Sequence, residues 1–364
     1  MEVVAIPLDL KTQKEKTTSR KEIEGKRLLY HRLFKHDFDQ GQPSSLVLGQ
    51  PGGCKTAVDC SICEFFMNKH PTDRIFWRSA INAPIQFVKL PKWHIFIEKH
   101  SGIRMFDRRT GEDITESLER EKKITYFSNF DDLYNKVKPG VCNGIFFKDL
   151  HLKGIRKDDG TIQWFRFTRF LLNKFDWCHI FFDEYQELVK AGQGERMWHE
   201  INNHSDDVSS ARKTHVGIHA NCHQTAELDH RVLPSFMICL QLYGSRIYKH
   251  NMVNKRALSS IREPNESIGA DAWISEGNKF GIITFDKVYK IPSNISIAAR
   301  IIPDYEHIKT CPICRHMFIY HRADQIYCGN ACNIRAHRMR KKSEKDNKRE
   351  TDNRFHSHSS PTIY

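Results

Sequence analysis

The chain has 364 residues, a formal charge of +13, 39% hydrophobic residues and 11% aromatic residues. This composition suits one large globular core with a small appendage and excludes a wholly disordered chain. No run approaches the roughly 18 apolar residues of a membrane span, and Met1-Glu-Val-Val-Ala lacks the basic and apolar regions of a secretory signal, so a cytoplasmic protein is expected.

In chain order, residues 2–9 read as a short edge strand. The basic stretch over 11–36 holds a helix near Glu22–Lys35, so residues 1–43 form a basic extension. An α/β domain over 44–302 then begins with the strand Leu46–Leu48. The helix Lys55–Asn68 follows, with apolar Ala57, Ile62, Phe65 and Phe66 at helical spacing, and Arg74–Trp77 is the next strand. The segment 85–125 reads as an inserted surface hairpin, because Trp93-His-Ile-Phe-Ile-Glu alternates and Gly102 and Gly111 mark turns. A helix over Phe130–Val137, a strand over Val141–Phe147, a charged loop over 154–160 and a helix over Gln163–Asn173 come next. Strands at Asp176–Phe182, Thr214–His219, Phe236–Leu242 and Gly281–Phe285 surround a helix at Trp198–Ala211. Strands alternating with helices predict a mostly parallel sheet covered on both faces.

Gly49-Gln50-Pro51-Gly52-Gly53-Cys54-Lys55-Thr56 stands where an apolar strand meets a helix, the setting required of a Walker A loop. Small residues let successive amides, through Ala57 at the start of the helix, point at the phosphates of ATP. Lys55 would reach the β- and γ-phosphates, and Thr56 would hold Mg²⁺. Cys54 stands at the pattern's second glycine; its Cβ restricts the backbone, and Gly52 and Gly53 would supply the lost freedom.

Cys178-His-Ile-Phe-Phe-Asp-Glu is a buried strand ending in two carboxylates. Asp183 would bind the Mg²⁺ shell, and Glu184 would orient and deprotonate the attacking water. The strand after it ends in Asn221, His223 and Gln224. Ligands of a parallel sheet sit beyond the strand C-termini, so Asn221 is the first choice to sense the γ-phosphate and His223 the second. Arg212 and Arg231 are the candidates for a finger acting across a subunit interface.

Gly49–Thr56, Ile180–Glu184 and Val216–Gln224 together resemble the P-loop ATPases with an added strand and a catalytic glutamate. Phe182-Asp-Glu-Tyr-Gln-Glu-Leu, Ala211-Arg-Lys-Thr-His-Val-Gly-Ile and His223-Gln-Thr-Ala-Glu-Leu-Asp-His-Arg-Val resemble the FtsK–HerA branch, zonular occludens toxin-like proteins included. The resemblance covers residues 44–290. It implies a RecA-like sheet, a homo-oligomer such as a hexamer, ATP hydrolysis and movement of DNA. Cys54 and the lack of the membrane anchor usual in toxin-like members are departures.

Of the eleven cysteines, seven are scattered through apolar runs, where a reduced thiol behaves as a small hydrophobe. The other four, Cys311, Cys314, Cys328 and Cys332, have the pair spacing of a tetrahedral Zn²⁺ site in a finger over 309–342. A segment that small needs metal to fold, and His316, His321 and His337 are spare ligands. Tyr327-Cys-Gly-Asn-Ala-Cys-Asn-Ile-Arg resembles a treble-clef finger whose helix would present Arg335, Arg338 and Arg340 largely on one side, followed by Lys341 and Lys342. From Lys309 onward there are twelve Lys/Arg against five Asp/Glu, an excess of 7, which points to DNA phosphates. Residues 343–364 read as a disordered tail. The combined expectation is a motor that packages or transfers DNA for a virus, phage or plasmid, in host cytoplasm or a virion. The alternatives are an ATPase acting on a secretion or virion-assembly partner, and a nucleotide switch with little turnover.

Overall fold

The computed structural model describes residues 20–36, 39, 41–51, 53–148, 160–190, 195–242, 270–285, 297–302, 308–315, 317–319 and 325–341. The expected strand at 2–9, most of the loop at 154–160, Gly52, His316, His321, Lys342 and the tail at 343–364 lie outside these residues. The chain divides into two compact units, 1–301 and 302–364.

The first unit is built on one sheet. Its strands are β1 (Ser45–Leu48), β2 (Arg74–Arg78), β3 (Trp93–Glu98), β5 (Ile124–Phe127), β6 (Cys142–Phe146), β7 (Cys178–Phe182), β8 (Val216–Cys222), β9 (Ile238–Leu242), β10 (Ala270–Glu276) and β11 (Lys279–Phe285). The order is β11-β10-β9-β1-β8-β7-β2-β6-β3-β5. Every pairing from β9 to β5 is parallel, and the β10–β11 hairpin is antiparallel to β9. Every residue of β1, β6, β7, β8 and β9 is buried, as expected of parallel strands covered on both faces.

One apolar layer packs this sheet against α1 (Arg20–Leu28), its π-helical continuation Leu29–Leu33 and α2 (Lys55–Lys69). The other lies under α3 (Phe130–Lys136), α4 (Thr161–Leu172) and α5 (Glu195–Ala211). The basic residues of 20–36 belong to this body. Arg32 pairs with Glu276 on β10, its Nε 3.0 Å from each carboxylate oxygen. Gly25 lets α1 lie directly on β11, since a Cβ there would sit 2.2 Å from the Ile282 carbonyl oxygen.

The segment 85–125 is not a surface hairpin. Its β3 pairs in parallel with both β5 and β6, while β4 (Ile103–Asp107) leaves the sheet to pair antiparallel with β12 (Ile297–Ile301). Ile95, Phe96 and Ile97 are buried, and Phe87 packs so closely over Gly144 that any side chain there would overlap its ring. The alternation in the sequence marks the strand, but its partners β5 and β6 run parallel to it in the main sheet instead of forming the second arm of a hairpin.

In the second unit, β13 (Ile308–Thr310) and β14 (Met317–Ile319) form an antiparallel pair, and residues 330–341 are helical.

Candidate functional site

Strand β8 lies between β1, which leads into the phosphate loop, and β7, which carries the acidic pair. Parallel register therefore brings three strand ends together: Leu48, Phe182 and Asn221–Cys222. The side chains beyond these ends form one cluster at the mouth of the sheet.

The loop turns tightly, with the Gly53 amide donating to the Gln50 carbonyl at 2.9 Å. A Cβ at Gly53 would stand 2.8 Å from that oxygen. Helix α2 begins at Lys55 with no side-chain cap at Cys54, so the amides of its first turn have no intrahelical acceptor and face the loop. The first-turn amides of Thr56 and Ala57, beside the loop, are therefore of the kind that suits an anion. Cys54 itself takes the left-handed conformation, φ 64° and ψ 18°. The expectation that Gly52 and Gly53 would absorb this geometry is corrected at Cys54, which carries the positive φ in its own backbone.

The Thr56 hydroxyl donates to Asp183 Oδ1 at 2.9 Å, which places together the two side chains expected to hold a divalent cation. Burial raises the Asp183 carboxyl above its ordinary range, against the Asn221 hydrogen bond that lowers it. Lys55 Nζ lies 3.3 Å from the Gln50 carbonyl and 2.8 Å from His223 Nδ1. Burial lowers the Lys55 ammonium, and Glu184 and Asp183 oppose the shift. His223 Nε2 lies 3.2 Å from Glu184 Oε2, so this imidazole bridges the lysine and the glutamate. Glu184 is left-handed at φ 52°, a strained setting of the kind concentrated at functional sites.

Asn221, the first choice as γ-phosphate sensor, is fully buried and fully engaged. Its Nδ2 donates to Asp183 Oδ1 at 2.9 Å and to Asp59 Oδ2, and its Oδ1 accepts the Glu184 amide at 3.0 Å. It positions the acidic pair, and His223 is the side chain of that strand end that reaches Lys55 and Glu184. Gln224 turns away to Glu227 at 3.0 Å.

Two contributors escaped the sequence reading. Asp59 lies one helical turn past Lys55, on the same face of α2. Burial raises its carboxyl well above the ordinary range, against the Asn221 hydrogen bond. Arg78 ends β2 with its side chain buried, donating to the Asp183 carbonyl at 2.8 Å and pairing with Glu187 at 3.2 Å. A charged residue closing an apolar strand was the signal available for it.

The two arginines stand apart from this cluster. Arg212 precedes β8, whose seven residues at about 3.3 Å each put it some 20 Å from Asn221. Arg231 is clamped by Asp229 at 2.8 and 2.7 Å and lies over the Trp198 ring, 5.4 Å from its centroid.

In the second unit the Cys311, Cys314, Cys328 and Cys332 sulfurs all lie within 4.8 Å of one another. The Cys314–Cys328 and Cys328–Cys332 separations are both 3.5 Å. That is far beyond a disulfide bond of about 2.05 Å. It is close to the spacing of thiolates about 2.3 Å from a shared tetrahedral ion, so the donor set suits Zn²⁺. Arg335, Arg338, Arg340 and Lys341 are all exposed. At about 100° per residue, Arg335 and Arg338 share a face while Arg340 projects roughly 140° away, so the expectation of a single basic side holds for only the first two.

The mostly parallel sheet flanked by helices, with the phosphate loop and the acidic pair at its strand ends, has the fold expected of a RecA-like P-loop NTPase. No family model matches the chain, and no curated protein is similar to it. Among solved structures, the chain is similar to the genome-packaging NTPase B204 of Sulfolobus turreted icosahedral virus 2 in complex with AMP, at 10% identity and TM-score 0.40 over 68% of this chain and 98% of that one. It is similar to the pCW3 conjugation coupling protein TcpA with ATPγS, at 9% identity and TM-score 0.36 over 69% and 62% of the two chains. The N-terminal domain of zonular occludens toxin from Neisseria meningitidis matches at 11% identity and TM-score 0.31 over 68% and 97%. Among the described residues, no helix is long and apolar enough to cross a membrane.

Proposed function

We propose that the chain hydrolyses ATP at this site and uses the energy to move DNA, as a ring-forming motor serving a virus, phage or plasmid in the cytoplasm or the virion. The observation that carries the ATPase reading is the convergence of Thr56, Asp183, Glu184 and Lys55 on one strand mouth, tied together by Asn221 and His223. The loop amides and Lys55 would bind the phosphates, and Thr56 and Asp183 would hold Mg²⁺, which supplies charge neutralisation when bound. Glu184 would take the proton of the attacking water, with its backbone held by Asn221 and its carboxylate next to His223. In a ring, Arg231 would serve a neighbouring site only by leaving Asp229, and Arg212 would do so from the far end of β8. The DNA reading rests on the exposed Arg335, Arg338, Arg340 and Lys341 of a helix beside a thiolate cluster suited to Zn²⁺. It is tested by duplex DNA binding of the full chain before and after charge reversal at Arg335 and Arg338. Binding unchanged by the reversal would remove the finger from the DNA interface.

A second reading, an ATPase acting on a protein partner through this finger, has one observation of its own. Ile334 and Met339 on the same helix are 53% and 59% exposed, an apolar element that phosphate contacts do not use. It predicts turnover that rises with a protein partner and ignores DNA.

A further inference from the structure

His223 stands just past the end of β8 and sets its two ring nitrogens against two different parts of the site. Nδ1 lies 2.8 Å from Lys55 Nζ, and Nε2 lies 3.2 Å from Glu184 Oε2. From this geometry we infer that His223 is a positioning residue for hydrolysis, a role that rests on the ATPase reading. It ties down one oxygen of Glu184 and leaves the other to take the proton of the attacking water.

The direction of each hydrogen bond follows from what the groups can do. An ammonium only donates, so Lys55 donates to Nδ1 and the ring proton is placed on Nε2. That N–H donates to Glu184 Oε2, the same oxygen that accepts from Gln186 Nε2. Two donors thus converge on Oε2, while among the described residues no side chain holds Oε1. Lys55 therefore sets the tautomer through which His223 holds the glutamate. An ammonium has three donors, so the Gln50 carbonyl at 3.3 Å and His223 leave one for a phosphate oxygen. The lysine that would bind phosphate and the carboxylate that would activate water are joined through one ring.

The end of β8 holds Glu184 at two points. Asn221 Oδ1 accepts the Glu184 amide at 3.0 Å, and two residues further on His223 takes the carboxylate. Backbone and side chain are thus fixed from one neighbouring strand. A carboxylate without such a hold would spread its oxygens over several rotamers, and a misplacement of about 1 Å can cost about a hundredfold in rate. The side chains of His223 and Glu184 are each 28% exposed, so the pair lies at the surface of the strand mouth, where water has access, and the ring is not a core packing element.

The test compares His223→Leu, which has neither donor nor acceptor, with His223→Gln, whose amide can accept from Lys55 and donate to Glu184. In steady-state turnover by the full chain, His223→Leu should lower kcat at least about tenfold. Its KM and its affinity for a fluorescent ATP analogue should stay within about threefold of the parent. His223→Gln should recover most of the lost turnover. Circular dichroism checks the fold, and His223→Ala repeats the comparison where leucine disturbs it. Nitrogen NMR of the histidine-labelled chain, with the His223 signal identified by its loss in His223→Gln, is the second readout. It should place the ring proton on Nε2 in the parent and show that preference lost in Lys55→Ala. Parent-like turnover in His223→Leu, a loss confined to ATP affinity, a glutamine variant no better than the leucine one, or a ring proton on Nδ1 would each overturn the role of His223 alone. A parent chain with no turnover would overturn the ATPase reading itself, and this role with it.

Discussion

Replacing Cys54 by glycine tests the conformation of the phosphate loop directly. Cys54 sits at φ 64° and ψ 18°, where an L side chain costs about 1–2 kcal/mol relative to right-handed backbone. Glycine removes that cost but gives the unfolded chain about 0.5–1 kcal/mol of extra conformational freedom. The difference leaves Cys54→Gly between neutral and about 1.5 kcal/mol more stable, a melting shift of at most a few degrees in a unit of this size. Cys54→Val moves the other way, because a β-branched side chain is a true outlier at this φ, and it should lose at least about 1 kcal/mol along with nucleotide affinity. Urea unfolding of both variants, together with binding of a fluorescent ATP analogue, measures the pair. A valine variant as stable and as tight-binding as the parent would refute the left-handed loop and the strain argument built on it.

Asn221→Ala should leave the Asp59 carboxyl, Asp183 and the Glu184 amide each short of a partner, so turnover should fall at least tenfold while ATP binding falls much less; equal losses in both would deny it a positioning role. Asp59→Asn removes a carboxyl that burial raises well above its ordinary range. A raised carboxyl stabilises the fold fully only below its unfolded pKa, about 4, and that contribution is lost as pH rises through the folded value. The asparagine variant should therefore gain on the parent in melting temperature from pH 5 to pH 8, and a gap that does not widen with pH would contradict the burial argument. Gly25→Val forces α1 off β11 and should destabilise the chain by about 2 kcal/mol or more in denaturant melts. Arg335→Glu with Arg338→Glu should weaken duplex binding and flatten its salt dependence by about two phosphate contacts.

The sequence carried the phosphate loop and acidic pair because phosphate chemistry fixes their spacing and places each at a strand end. Their mutual contact, through Thr56 and Asp183, followed from strand order alone. Strands β10 and β12 were not legible. Ala270-Asp-Ala-Trp-Ile-Ser-Glu and Ile297-Ala-Ala-Arg-Ile carry weak alternation, and the partner of β12, β4, lies far away in sequence. Asp59 and Arg78 were hidden for a related reason. Each is an ordinary charged residue within its own element, and only the burial supplied by β8 and β7 makes it part of the site.

Lys55, Asp183 and Glu184 together make up the proposed hydrolytic site. Steady-state release of phosphate from ATP by the full chain, with and without duplex DNA, is the measurement that bears on it most directly, with Lys55→Ala and Glu184→Gln alongside. Mg²⁺-dependent turnover that rises with DNA is expected, with loss of both binding and turnover in Lys55→Ala and retained ATP binding without turnover in Glu184→Gln. Turnover that survives both substitutions would contradict the assignment of this site, and tight ATP binding with no hydrolysis by the parent chain would make it a nucleotide switch instead.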